Sequence, residues 1–155
     1  MATARTEKQI RADAGRLADI FTAIQRSFIL QLSKELSRGH VSFPQYCLLG
    51  FLAQQPHLTM SEIAHRMGHT TAAATGLVDR LEKLGHARRA HARDDRRKIQ
   101  VQITESGLTL VTEVRDDMVT NLIRFMGYLE PGEQKTWVQI YEKLIHHCPS
   151  KCLDT

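Results

Sequence analysis

No run of apolar residues in this 155-residue chain approaches the length needed to cross a bilayer. Residues 1–10 hold Arg5, Glu7 and Lys8 among polar neighbours and lack the apolar stretch of a signal peptide, so a cytoplasmic setting is expected, with no membrane partner. Cysteine is scarce: Cys47, Cys148 and Cys152 form neither an even set nor a dense one, which argues against a secreted disulfide scaffold. Catalytic signatures are missing too. There is no Ser/His/Asp order and no Gly-rich phosphate loop, and the acids do not pair in an evident site, so neither an enzyme nor a cofactor is expected. Internal repeats and low-complexity tracts are likewise absent.

What is there fits one globular domain. Hydrophobic residues make up 42% and charged residues 25%, inside the ordinary range, and the length suits a single buried core over residues 1–155. The net charge of +4 is modest, but its placement is not. Between Arg80 and Lys98 lie eight Lys/Arg (Arg80, Lys83, Arg88, Arg89, Arg93, Arg96, Arg97, Lys98) against three acids (Glu82, Asp94, Asp95), a local +5 that leaves the rest of the chain at −1. Such concentration is the electrostatic footprint of a polyanion-binding segment.

Hydrophobic spacing orders the chain. Leu17, Ile20, Phe21, Ile24, Phe28, Leu32 and Leu36 recur at three- and four-residue intervals, which predicts a long helix over 12–36 ended by Gly39. Ser42 and Gln45 form a capping box for a second helix, which Gln55-Pro56 stops. Thr59 and Glu62 repeat the arrangement before a short helix over 60–67, and Gly68 turns the chain. Thr70 or Thr71 then caps a helix that runs to Leu84, with Gly85 in the left-handed position after it. Its apolar stripe is Leu77, Val78, Leu81 and Leu84; the opposite face is Ala72, Thr75, Gly76, Asp79 and Lys83.

Beyond Gly85 the period changes. Residues 86–91 read as extended, 93–97 as a charged turn, and 98–103 as a strand with Ile99, Val101 and Ile103 on one side, together a β-hairpin. Thr104 caps a second long helix to about residue 128, with Leu108, Val111, Val114, Met118, Leu122 and Phe125 on its apolar side. Pro131 opens the last helix, which carries Trp137, Ile140, Tyr141, Leu144 and Ile145. The fold class expected is mainly α with a small β-hairpin wing: a winged helix-turn-helix over 42–103, flanked by long helices at 10–38 and 104–148.

In a helix-turn-helix the second helix enters the major groove. Here its exposed side is small, with Ala72, Ala73, Thr75 and Gly76, so its backbone can approach base edges and thymine methyls while Thr70, Thr71 and Thr75 bond to phosphates or bases. Asp79, Arg80 and Lys83 continue that side. In the wing, Arg93, Arg96, Arg97 and Lys98 are interrupted by Asp94 and Asp95, which suggests positioned arginines for a narrow minor groove, with Asp95 holding Arg97 extended. Read plainly, the same residues make an ordinary amphipathic helix and a solvated charged tip; the charge concentration favours the DNA reading over a winged helix that binds protein.

The segments Leu58-Thr59-Met60-Ser61-Glu62-Ile63-Ala64, Leu77-Val78-Asp79-Arg80-Leu81-Glu82-Lys83-Leu84-Gly85, Asp95-Arg96-Arg97-Lys98 and Ile103-Thr104-Glu105-Ser106-Gly107 resemble the MarR family of bacterial regulators. The resemblance implies a homodimer interlocked through its first, fifth and sixth helices, placed on a pseudopalindromic double-stranded DNA operator, with Asp95 orienting Arg97 into the minor groove. It also implies release from DNA by a small phenol or aromatic acid held between the dimerisation and DNA-binding parts. Phe28, Phe43, Tyr46 and Phe51 are candidates to line such a pocket, with Arg16 or His40 meeting a carboxylate; plain core packing is the competing reading of those aromatics. Independently of the resemblance, the flanking helices are too apolar on one side for the winged core to cover, and a symmetric partner is the simplest cover.

The signal is less legible. His146, His147, Cys148 and Cys152 group soft ligands within seven residues, but their spacing is not a standard zinc pattern, so a plain polar end of the chain stands against a metal- or redox-responsive one. Cys47, beside Tyr46 and Leu48, reads as a small core hydrophobe. Family members that sense peroxide use a cysteine in the first helix, where this chain has none.

Overall fold

A capping box about three turns ahead of the apolar stripe starts the first helix. Thr6 Oγ1 accepts the Gln9 N–H while Gln9 Oε1 accepts the Thr6 N–H, so α1 spans Glu7–Arg38 rather than beginning near residue 12. The structure, a computed structural model, describes residues 6–92, 95 and 97–147, and of Phe28, Gln31 and Glu35 the backbone alone. After α1 follow α2 (Phe43–Gln54), β1 (Leu58–Thr59), α3 (Met60–Met67), α4 (Thr71–Lys83), β2 (Ala87–His91), β3 (Ile99–Ile103), α5 (Glu105–Met126) and α6 (Pro131–Ile145). Gly39 ends α1 as expected, and the turn out of it is made by His40 at φ 54°, with Val41 N–H returning to Leu36 O. The foreseen capping boxes at Ser42/Gln45 and Thr59/Glu62 are both formed.

The sheet has one strand more than the hairpin. β1 adds to the far side of β3, giving the antiparallel order β1-β3-β2, with Leu58 opposite Val101, Ala87 opposite Ile103 and His91 opposite Ile99. A two-residue strand carries no readable period, which is why it is not visible as a pattern. Its register places the fully buried Leu58 beside the fully buried Val101.

Leu48, Leu49 and Leu52 of α2, Ile63 of α3, Ala74, Val78 and Leu81 of α4, and Val114 of α5 surround those two residues. Each fully buried leucine or valine contributes about 1.5–3 kcal/mol relative to an exposed one, so this cluster is what fixes α4 and the hairpin on a common base. The α4 stripe is shifted by one position from the expected one: Ala74 is buried and Leu77 and Leu84 only half-buried. Along β3, Val101 is buried, Ile103 half-buried and Ile99 48% exposed, because the hairpin runs outward past the core.

The flanking helices differ. Leu36 of α1 and Leu110 and Val114 of α5 join the core, but Leu17, Ile20, Phe21 and Ile24 are each at least half exposed. On α5, Leu108 and Leu122 of the expected stripe lie exposed, and α6 buries no residue at all. Two long apolar faces are thus left uncovered among the described residues. No helix among the described residues is long and apolar enough to cross a membrane.

Candidate nucleic-acid interface

Helix α4 is held at its start by Thr70, whose Oγ1 accepts the Ala73 N–H at 3.2 Å, and at its end by Gly85 at φ 76°, a conformation that suits a residue without Cβ. Thr71, Ala72, Gly76, Asp79, Arg80 and Lys83 are exposed; Thr75 is half-buried. The Thr75 hydroxyl donates to Thr71 O at 2.8 Å, so its proton is committed inside the helix and its outward contribution is the methyl group and the remaining lone pair. The Thr70 hydroxyl, used as an acceptor by the cap, keeps its proton for an outside partner.

Asp79 has a different role from its neighbours on that side. Its carboxylate accepts from Arg89 Nη1 at 2.7 Å, and the same nitrogen is paired with Glu82. Glu82 also accepts the Arg89 backbone N–H, at 2.6 Å. Burial works against the Arg89 charge, but the bonds and charges of Asp79 and Glu82 outweigh it and hold the guanidinium above its usual range. One of the eight cations in the basic stretch is therefore neutralised within the fold. The signal available in the sequence was the i, i+3 pair Asp79/Glu82 on one helix side, upstream of a strand arginine.

The base of the hairpin is anchored on three sides. His86 N–H donates to Leu81 O and Thr104 N–H to His86 O, while Thr104 Oγ1 donates to Gly85 O at 2.6 Å. The His86 ring bridges Ser106 Oγ at 3.0 Å through Nδ1 and the Gly39 carbonyl at 3.3 Å through Nε2. Since a carbonyl only accepts, Nε2 carries a proton there. Farther out, Arg88 Nε donates to Gln102 Oε1 at 3.2 Å, and Gln102 Nε2 lies 3.0 Å from His57 Nδ1.

At the tip, Ala92 N–H bonds Lys98 O and Lys98 N–H bonds Asp95 O, closing the turn. Asp95 Oδ1 accepts the Arg97 N–H at 3.0 Å and lies 3.5 Å from Arg97 Nε. The Arg97 side chain is 95% exposed, and Lys98 is exposed beside it. Arg93, Asp94 and Arg96 lie outside the described residues.

The candidate pocket residues differ in exposure. Arg16 and Phe43 are exposed, and Arg16 lies about 33 Å along α1 from Arg38, at 1.5 Å per residue. His40 is exposed in the α1–α2 turn, while Tyr46 and Phe51 are half-buried against the core. Burial, with Cys47 adding to it and Arg115 opposing, raises the Tyr46 phenol above its ordinary range. The Arg66 guanidinium stands 6.0 Å from the Phe51 ring centre. The Phe28 side chain lies outside the described ones. An open cleft of about 580 Å³ does form between the end of α1, the base of the hairpin and α5, lined by Arg38, His86, Thr109, Glu113 and Asp117 among others; of the described candidates, Arg16, His40, Phe43, Tyr46 and Phe51 are not in its lining. Sequence spacing did not show it, because its lining comes from three separate segments.

Of the possible metal group, His146 and His147 are exposed and Cys148 and Cys152 lie outside the described residues. Among the described residues no cluster of three or more His, Cys, Asp or Glu side chains could hold a metal ion.

Comparison with known proteins agrees with this geometry. The sequence profile of the MarR family matches residues 41–98. The chain is 36% identical over 104 residues to the uncharacterised HTH-type transcriptional regulator YfiV of Bacillus subtilis, covering 67% of this chain and 63% of that protein, and so spans less than two thirds of that relative. It is 30% identical over 128 residues to the HTH-type transcriptional repressor MdtR of the same organism, covering 83% of this chain and 80% of the relative. Among solved structures, the YusO protein of Bacillus subtilis superposes with a TM-score of 0.74 at 27% identity, over 93% of this chain and all of that one.

Proposed function

For a chain that belongs to the MarR family, we propose the following function: it binds a pseudopalindromic double-stranded DNA operator as a homodimer and represses transcription there. The observation that carries this reading is the joining of a capped helix with a small exposed side, α4, to a hairpin that presents Arg97 and Lys98 to solvent. Small residues permit close approach to base edges, and an extended arginine suits a narrow minor groove. In this reading Thr70, Thr71, Ala72, Thr75, Gly76, Arg80 and Lys83 meet the major groove and its phosphates. Arg93, Arg96, Arg97 and Lys98 serve the wing, and Asp95 orients Arg97.

The uncovered faces of α1, α5 and α6 support the dimer: Ile20, Phe21 and Ile24 on one helix and Ile140, Leu144 and Ile145 on another are about half exposed or more in the single chain. A two-fold partner would cover both and set two reading helices about one DNA turn apart. The cleft between α1, the hairpin base and α5 supports control by a small phenol or aromatic acid, because a ligand there would touch both flanking helices and His86, whose N–H is bonded to Leu81 O of α4. Binding of the purified chain to the DNA upstream of its own gene, against a mixed-sequence duplex of equal length, tests the reading.

A further inference from the structure

We propose that Arg89 is a positioning residue that braces the wing against α4, and that Asp79 acts through it rather than on DNA. The proposal rests on the DNA-binding reading above. Arg89 sits in the middle of β2, with 27% of its side chain exposed against 95% for Arg97. Two carboxylates from adjacent turns of α4 converge on its Nη1, and Glu82 in addition takes its backbone N–H. The strand is thus clasped by both main chain and side chain. Arginine suits this because its planar fork can serve two acceptors at once, which a lysine ammonium does less well.

The trio of Arg89, Asp79 and Glu82 carries one positive and two negative charges. A phosphate approaching this guanidinium would meet two carboxylates already bonded to it, which makes Arg89 a poor backbone contact despite its place in the basic stretch. Its value lies in geometry. The chain leaves α4 through Gly85, at φ 76°, and that turn is where the wing would swing relative to the helix. The backbone bond from His86 N–H to Leu81 O lies beside that turn and gives little leverage on the hairpin. Arg89, three residues farther out, holds the hairpin where leverage is greater. A helix in the major groove and an arginine in the adjacent minor groove can be satisfied together only if the angle between them is fixed beforehand, since ordering it on binding costs affinity.

Brace and phosphate contact differ in what they predict. A lost phosphate contact weakens binding to all sequences alike and lowers the salt slope by about one. A lost brace weakens specific binding and leaves non-specific binding and the slope in place. Asp79 gives a test of opposite sign: removing a carboxylate from a surface facing DNA should strengthen binding by electrostatics alone, whereas removing part of a brace should weaken it.

The experiment measures, by fluorescence anisotropy over a salt series, binding of the full chain and of Asp79→Asn, Arg89→Met and the double variant to upstream and mixed-sequence duplexes. Melting curves confirm that each variant is folded. We expect each single variant to lose about tenfold on upstream DNA, with the mixed-sequence affinity and the slope unchanged and the double variant losing no more than Arg89→Met. Tighter binding by Asp79→Asn, additive losses, no loss, or a slope reduced by about one in Arg89→Met would overturn the proposal. Should Arg89→Met fail to fold, the sign of the Asp79→Asn effect decides alone. If the unsubstituted chain shows no preference for upstream DNA, the DNA-binding reading fails first and the proposal with it.

Discussion

Asp95 Oδ1 lies 3.0 Å from the Arg97 amide nitrogen and 3.5 Å from its Nε, so one carboxylate fixes both the turn and the first part of the side chain that leaves it. The backbone contact is a well-formed hydrogen bond; the longer one aligns a guanidinium that is otherwise fully in solvent. An exposed ion pair of this kind adds little to stability, and its use is therefore in direction.

From this follows the first prediction. Arg97→Ala is expected to weaken binding to upstream DNA by about 1–3 kcal/mol while leaving the melting temperature unchanged. Equal affinity of the variant and the unsubstituted chain would remove Arg97 from the interface.

A second prediction concerns the uncovered helices. Leu144, 54% exposed on α6, should be free to become aspartate in a monomer, but not if that face meets a partner. Sedimentation equilibrium should give the mass of two 17.6 kDa chains for the native protein and of one for Leu144→Asp. A native monomer, or a variant that stays dimeric, would count against the expected interface.

The α5 N-terminus yields a third. A Cβ on Gly107 would run into the His86 carbonyl oxygen, a backbone atom that cannot move aside cheaply, and would also crowd Ile103. Gly107→Ala should cost about 1–3 kcal/mol in a denaturant titration, the range seen for overpacking. An unchanged midpoint would mean that α5 can shift away from the hairpin base.

The capping box of α3 sets a pH dependence. The bond from the Thr59 backbone N–H, with help from its hydroxyl and from Arg66, holds Glu62 below the usual carboxylate range against a small opposing effect of burial. A group whose folded-state value is depressed contributes stability above its unfolded value and loses it as pH falls through the folded one. Thermal melts should therefore show the native chain losing its advantage over Glu62→Gln below about pH 4.3, the ordinary glutamate value. A gap between the two that is constant from neutral to acid pH would contradict this.

Most of the helical frame was legible because caps and periodicity agree: Ser42/Gln45, Thr59/Glu62 and Thr104 each mark a start that the structure has. The boundary error at α1 has a local cause, since Thr6/Gln9 lies ahead of the first apolar residue of the stripe. β1 has no readable pattern because two residues have no period, and nothing in the spacing marks the left-handed turn at His40, one residue past the Gly39 that ends α1. The exposed residues of α4 and the wing could be named from chemistry, but their pairing could not. That Asp79 is spent on Arg89 depends on a distance between segments that sequence spacing does not fix, whereas Thr75's proton goes to Thr71 O, four residues back in its own helix.

The salt dependence of the unsubstituted chain on the duplex upstream of its own gene tests operator binding most directly. Log affinity is expected to fall linearly with log salt, with a slope of about −0.9 for each phosphate neutralised and a total of several units. Binding that is absent, or that does not change with salt, would contradict it.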